Sequence, residues 1–445
     1  MVKNKRNRNS IFKVMKRILS VAVLMNAFSV YAQEKTWSLS DCIDYAVNHD
    51  LYLKETAMNS DLADKEITAA YGRLLPAASA YADNQYNFGS VIDPTTNARV
   101  SSDIRSNSLS FSSNIELFNW GNFIRIQSAK LQKEKSVYDL EVRKNELVIK
   151  IVQAYNQIQY DREQIALLEK QLANSEITLN QIQLEFELGN KAKSDVYELQ
   201  ANKASEEQML VTAQNALKTS ETALANLLNL EEIPEFGMLE ASDEGILGIS
   251  LDELFAFGIQ NRPEIKSAEL QNKIAEKEIK QQKSAYYPTL NGNYSLSSFY
   301  VDTETSALAD QFRNNKNHYL GVSVSVPIFN RLQTKTAVQK AKIEQEQSLL
   351  QLEQQKQAYY NALRDAVNFA QNAAQNREAA QKNVVAQEIS FARTEDKFKL
   401  GMIDAYAYFA AKNSLLAAQS ALLQAEFNYN YQLILLKFYL TNEVL

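Results

Sequence analysis

The chain has 445 residues, with 47 Lys and Arg against 53 Asp and Glu, a formal net charge of −6 and a single cysteine, Cys42. That acidic balance argues against nucleic acid as a partner, because phosphate backbones recruit basic faces. One cysteine excludes an intrachain disulfide, so packing along the chain must supply the stability.

The first 32 residues hold seven basic and no acidic side chains, followed by an apolar run from Ile18 to Val30 that ends in small residues. They are expected to be a secretory signal peptide cleaved after Ala32. The run is shorter than the ~20 apolar residues a spanning helix needs, which argues against a retained anchor. Its removal would leave 40 basic against 53 acidic residues, a net charge of −13. Gln33 at the new terminus offers no thiol for a lipid anchor.

Beyond it the chain repeats itself. "LSDCIDYAVNHD" from Leu39 aligns with "LDELFAFGIQNR" from Leu251, Pro76 falls over Pro288, and "EFELGN" at 185 aligns with "KFKLGM" at 397, all 212 positions apart (251 less 39). A duplicated unit is the economical reading. The first repeat is placed at 33–230 and the second at 251–445. The acidic, aperiodic stretch 231–250 is expected to connect them.

Within the repeats two periodicities alternate. Strands are expected at about 77–88 and 105–118, then at about 289–301 and 317–327. In the second of them Leu109, Phe111, Ile115 and Leu117 alternate with Ser106, Ser108, Ser110 and Ser112, and in the last Leu320, Val322 and Val324 alternate with Tyr319, Gly321 and Ser323. One apolar face, one small-polar face and aromatics at the strand ends (Phe88, Phe118, Trp120, Tyr286, Tyr287, Phe329) describe an outer-membrane barrel wall. An ordinary antiparallel sheet lying on a core is the alternative. Four strands leave two open edges, which hydrocarbon does not tolerate, so the wall would need other copies of the chain. Two copies give eight strands with an interior filled by side chains, and three give twelve with room for a lumen.

After each strand pair comes a long interval without proline or glycine: 122–188 and 190–233, then 328–400 and 402–445. Proline costs a helix interior ~3 kcal/mol and glycine ~1 kcal/mol, so these intervals predict helical hairpins at about 121–230 and 328–441. At ~1.5 Å per residue the first long helix would reach about 100 Å. Ile151, Ile158, Ile165, Leu172, Leu179 and Phe186 recur every seven residues, as in a coiled coil. A companion stripe through Leu147, Ala154, Leu168 and Ile182 is interrupted by Asp161 and Ser175. Gly189 and Gly401 sit where each long helix must end in a left-handed residue, so the repeated phrase is the bend of a hairpin made twice.

This order of helix, strand pair, long helix, glycine-marked bend and return helix, found twice behind a signal peptide, resembles the TolC family of outer-membrane efflux and secretion channels over essentially the whole mature chain. The resemblance implies a mainly α fold with a transmembrane β-barrel portion: a homotrimer making one 12-stranded barrel, continued by a long coiled-coil-like α-helical barrel across the periplasm of a diderm bacterium. It implies a passive exit duct for a tripartite efflux or type I secretion system. Its partners would be a periplasmic adaptor (membrane fusion) protein, an inner-membrane pump or exporter, and outer-membrane lipid. The family's tip motif falls on Leu188 and Gly189 and on Leu400 and Gly401, which are implied to be adaptor-docking turns. Acidic residues beyond the tip are implied to ring the periplasmic aperture, and Asp404 and Asp195 are the candidates. Asp195 follows Gly189 by six residues whereas Asp404 follows Gly401 by three. A capping role competes with the ring: Asp195 with Glu198 resembles a capping box, and Asp404 would cap the returning helix.

Catalysis has little to work with. The two histidines, His49 and His318, do not join Cys42 in a metal-ligand spacing, and neither a phosphate-binding glycine loop nor a nucleophile elbow is present. No enzyme, metal or cofactor is expected. The remaining alternative is a periplasmic coiled-coil adaptor or scaffold, which would explain the helices but leave the alternating strands without a purpose.

Overall fold

The computed structural model describes residues 36–92, 96–101, 103–237 and 251–441. The expected signal peptide at 1–32 lies outside the described residues, as do positions 238–250 of the expected connector. In chain order the elements are α1 (Leu39–His49), α2 (Leu51–Gly72), β1 (Ala77–Asn87), β2 (Ser90–Ile92), β3 (Arg99–Ser101), β4 (Ile104–Phe118), α3 (Trp120–Glu187) and α4 (Lys193–Leu228). They continue with α5 (Leu251–Asn261), α6 (Pro263–Ser284), β5 (Thr289–Val301), α7 (Leu308–Asn314), β6 (Asn317–Ser325), α8 (Gln333–Lys399) and α9 (Ala405–Thr441). The fold is mainly helical. Of the described residues, those up to Ala46 together with 151–237 make one compact unit, and those of 47–150 together with 251–441 make the other.

The duplication is visible in the element bounds, since α1 and α5, and likewise α2 and α6, are the same lengths 212 residues apart (263 less 51). The joint inside each pair is made by different chemistry. Asp50 caps α2, its carboxylate accepting from the Leu53 amide at 2.7 Å. At the corresponding joint Pro263 opens α6 and holds Arg262 extended, because a residue before proline is pushed out of the helical region. Arg262 is then free to serve the core. It is 4% exposed, pairs with Glu264 at 3.0 Å, and lies over the rings of Tyr359, Phe438 and Tyr439 at 5.4 to 5.6 Å. Around it Leu254, Ile265, Leu363, Ala366, Ala370 and Leu436 form a core between α5, α6, α8 and α9. Gly258 admits Tyr359 to this core, for a Cβ at that position would stand 1.9 Å from the tyrosine oxygen.

In the other unit the chain before α1 runs beside the chain after α4. Trp37 and Phe236 form a parallel bridge, with Trp37 donating to the Glu235 carbonyl at 2.7 Å and Gly237 donating to the Trp37 carbonyl at 2.8 Å. Tyr155 of α3, fully buried, places its hydroxyl 3.0 Å from the Trp37 carbonyl and 2.8 Å from that of Gly237. Burial pushes this phenol up to about 12, and it pushes the neighbouring buried Cys42 thiol up to about 12 as well, with Asp41 adding to the effect.

The heptad stripe does not stay central along α3. Ile151 and Ile158 are fully buried, but Phe186 at the distal end is exposed, while the companion positions Leu147, Asp161, Leu168, Ser175 and Ile182 are buried. The two polar residues in that stripe are accommodated because α4 answers them. Ser220 donates to Asp161 at 2.5 Å and Ser175 donates to Glu206. An uninterrupted helix of 3.6 residues per turn drifts about 20° per heptad, which moves one stripe out of the seam and brings the other in.

The four long strands form one antiparallel sheet in the order β1-β4-β5-β6, and β2 and β3 pair separately in the first hairpin loop. β1 and β6 are its edges. The weakest of the sequence-predicted strands, that of β1, pairs in unbroken register from Ala77 opposite Asn114 to Asn87 opposite Ile104. The loops contain more structure than their composition announced, namely the β2–β3 hairpin and the seven-residue α7. Downstream, α8 begins at Gln333 rather than near 328. Pro327 ends the strand, and Arg331 and Leu332 both take left-handed backbone (φ 55° and 63°) before the helix can start.

Candidate functional site: the sheet and the hairpin bends

Register decides what the sheet presents. Phe111 stands opposite Ala80 and Leu296, Ser113 opposite Ala78 and Tyr294, and Tyr294 opposite Leu320, so these side chains share one face with Leu109, Gly292, Val322 and Val324. The other face carries Ser79, Ser110, Ser112, Ser295, Ser297, Ser323 and Ser325. Ser79 and Ser112 lie 2.8 Å apart across the strands, and Ser108 donates to Asp83. The apolar face is left open: Leu320 is 81% exposed, and Val322 and Val324 are 66% and 65% exposed. Exposed apolar surface on this scale calls for an apolar surrounding. Phe88, Phe118, Trp120, Tyr286, Tyr287 and Phe329 at the strand ends are exposed too, the place aromatic girdles occupy at a membrane boundary. Among the described residues no helix is long and apolar enough to cross a membrane.

The two hairpin bends are built alike. At the first, the Gly189 amide donates to the Phe186 carbonyl at 2.9 Å and the Asn190 amide to the Glu185 carbonyl at 2.8 Å. At the second, Gly401 donates to Phe398 at 3.0 Å and Met402 to Lys397 at 2.9 Å. This is a Schellman motif twice over, and it requires the left-handed backbone that Gly189 (φ 81°) and Gly401 (φ 71°) supply. The preceding leucines take no part in packing: Leu188 is 69% and Leu400 75% exposed. Met402, Tyr406 and Tyr197 are exposed beside them, positions that sequence reasoning missed because an isolated apolar residue carries no periodic signal.

Inside the bends the likeness ends. Phe398 is buried and stacks on Tyr408 at 4.6 Å, with Phe391 and Phe409 against the same ring. Phe186, its counterpart in the other repeat, is exposed, and Ile182, Val196 and Leu199 close that hairpin instead.

The two acidic candidates also differ. Asp404 accepts from the Ala407 amide at 2.9 Å and so caps α9, sharing one bend with Leu400 and Gly401. Asp195 does not make the expected capping box. α4 starts two residues earlier, at Lys193, its cap position is Ala192, and Asp195 stands inside the first turn where the helix dipole favours a carboxylate. Among the described residues no group of three or more His, Cys, Asp and Glu side chains is arranged to hold a metal ion. His49 ends α1, and His318 on β6 lies 3.0 Å from the Tyr294 hydroxyl on the apolar face.

Comparison with known proteins agrees with this architecture. The family profile described as outer membrane efflux protein matches residues 42–230 and 258–442. The outer membrane efflux protein BepC of Brucella suis is 21% identical over 422 residues, covering 94% of this chain and 89% of its own. The outer membrane protein TolC of Vibrio cholerae is 22% identical over 424 residues, covering 94% and 92%. The solved structure of the outer membrane protein VceC from Vibrio cholerae superposes with a TM-score of 0.75 at 16% identity, covering 90% of this chain and 95% of that one. With a half-apolar sheet, glycine-bent hairpins and both repeats matched, the chain belongs to the outer membrane efflux protein family and is an outer-membrane channel protein with a periplasmic helical extension.

Proposed function

We propose that three copies of the chain close one duct, and that the duct meets a periplasmic adaptor through the hairpin bends. The observation that carries the first part is the four-stranded sheet with β1 and β6 as its edges and one face that carries Leu109, Phe111, Leu296, Leu320, Val322 and Val324. Such edges are ruinous in hydrocarbon unless another chain pairs with them, and twelve strands are the smallest closed multiple of four beyond eight that leaves a lumen. The serine and asparagine face then lines water. The duct is passive, and direction and energy come from an inner-membrane pump or exporter.

Docking at the bends is supported by Leu188 and Leu400, which stand in the open although a hairpin needs only the glycine beside them. Asp404 caps its helix and, repeated in three copies, supplies a carboxylate ring that favours cations at the mouth. In this reading the two sequence repeats, 33–230 and 251–445 with a connector at 231–250, each contribute one adaptor-facing bend, at 189 and at 401.

The test is assembly. Cysteines placed on β1 and β6 should join neighbouring copies and give a ladder that stops at three on denaturing gels, and imaging in detergent should show a continuous axial hole. A ladder ending at two, or solitary chains, refutes the duct. Asp404→Asn keeps a capping side chain and removes the charge. Single-channel recordings should show weaker cation preference in Asp404→Asn with unchanged stability, and an unchanged preference removes Asp404 from the aperture.

A further inference from the structure

The loop between β5 and β6 builds a feature the duct does not use. β6 begins at Asn317, opposite Ser297, so Ser298–Val301 of β5 extend beyond their partner on that side. α7 takes the partner's place. Gln311, 1% exposed, accepts from the Val301 amide at 2.9 Å and donates to the Val301 carbonyl at 3.0 Å. Asn315 donates to the Phe299 carbonyl at 3.0 Å, and Ser298 donates to the Phe312 carbonyl at 2.7 Å. Ser298 shares the apolar face with Leu109, its partner in register, so this bond holds α7 on that side of the sheet.

Held there, Phe312 forms one wall of a groove of about 450 Å³, whose other lining side chains include Ala80, Ala82, Leu109, Phe111 and Leu296. Ala80 and Ala82 stand in register with Phe111 and Leu109. Ala78, Ala80 and Ala82 are consecutive outward positions of β1, so this strand offers only methyl groups here, and Ala80 and Ala82 make the floor between Phe111 and Leu109. Lys316 lies at the rim, exposed.

We propose that this groove is a lipid site that takes one acyl chain of a phosphorylated outer-leaflet glycolipid, with the phosphate held by Lys316. The inference rests on the outer-membrane placement of the chain. The groove is continuous with the apolar face that meets lipid, and its volume lies in the range of small-ligand pockets. Phe312 and Lys316 belong to the β5–β6 loop, so the groove lies at the end of the sheet opposite the joints with α6 and α8. Since the long helices extend into the periplasm, that end faces the outer leaflet, where the phosphorylated glycolipid resides. An apolar chain gives up nothing on entering, whereas water there would find few polar partners. A lysine bordering hydrocarbon carries its ammonium out to the interface, and there an anionic phosphate at the rim offers it a charged partner.

The test is native mass spectrometry of the purified full-length channel titrated with bis-phosphorylated lipid A and, separately, with phosphatidylglycerol. Wild type should retain one lipid A per chain. Ala82→Phe, which fills the floor, and Lys316→Gln, which removes the charge, should each lower lipid A occupancy by about tenfold, the scale of one charge-assisted contact or one blocked subsite. Conductance of both variants is recorded in parallel, so that a failed duct is told apart from a failed lipid site. Equal lipid A affinity in wild type and Lys316→Gln overturns the proposal even if Ala82→Phe does not assemble. Phosphatidylglycerol binding as tightly as lipid A, or a groove filled by a neighbouring copy and empty of lipid, overturns it too.

Discussion

Replacing the bend glycines by alanine isolates what the repeated phrase does. At both Gly189 and Gly401 nothing lies within 4 Å of where a Cβ would sit, so alanine meets no obstacle, and the whole cost is that of a left-handed backbone (φ 81° and 71°). That cost is ~1–2 kcal/mol for an ordinary L-residue. It loosens two hydrogen bonds, at the second bend those from Gly401 to Phe398 and from Met402 to Lys397. By mass action, the opened bend becomes roughly 5- to 30-fold more populated. Asparagine tolerates the left-handed region and should recover most of the loss. The assay is amide hydrogen exchange at residues 189, 190, 401 and 402 in the assembled protein, read beside adaptor binding. Gly401→Ala should speed exchange at 401 and 402 by that factor, and Gly401→Asn by far less. If asparagine is as damaging as alanine for exchange, the backbone account is wrong. If asparagine restores exchange but not adaptor binding, the bend is read by its partner as bare backbone.

Gly258→Ala places a methyl group 1.9 Å from the Tyr359 oxygen; expelling that ring from the α5–α8 core should cost ~3–5 kcal/mol, the scale of losing a large buried aromatic, seen as a fall in the unfolding midpoint. On the sheet, Val322→Lys faces lipid and should cost ~2–4 kcal/mol at mid-membrane depth, measured by urea titration of protein folded into vesicles, whereas Ser323→Lys on the opposite face should be nearly neutral. Alkali should unfold the protein through Cys42. Its thiol rises from 9.0 to about 12 in the fold, so the unfolded chain sheds this proton first. The contribution is intact below pH 9 and lost as pH rises toward 12, by up to about 4 kcal/mol. Cys42→Ala should flatten that limb of the pH–stability curve, and an unchanged limb would assign it to Tyr155 instead.

Much of this protein can be read from the order of its residues. The Phe-x-Leu-Gly phrase predicted both bends because a left-handed C-cap is a local requirement, met by glycine wherever the helix lies. The absence of proline and glycine announced the long helices for the same reason, and period-two alternation announced the strands. What sequence missed depends on partners far along the chain. Phe186 and Phe398 occupy the same place in the same phrase, yet one is exposed and the other buried, because Tyr408 faces only the second. Asp161 and Ser175 look like flaws in a heptad until α4 brings Ser220 and Glu206 to them. α7 is too short to announce itself by periodicity, and it exists because the β5 edge beyond β6 must be satisfied. Local backbone chemistry is written residue by residue, whereas burial belongs to pairs of residues, and only the folded chain decides which pairs meet.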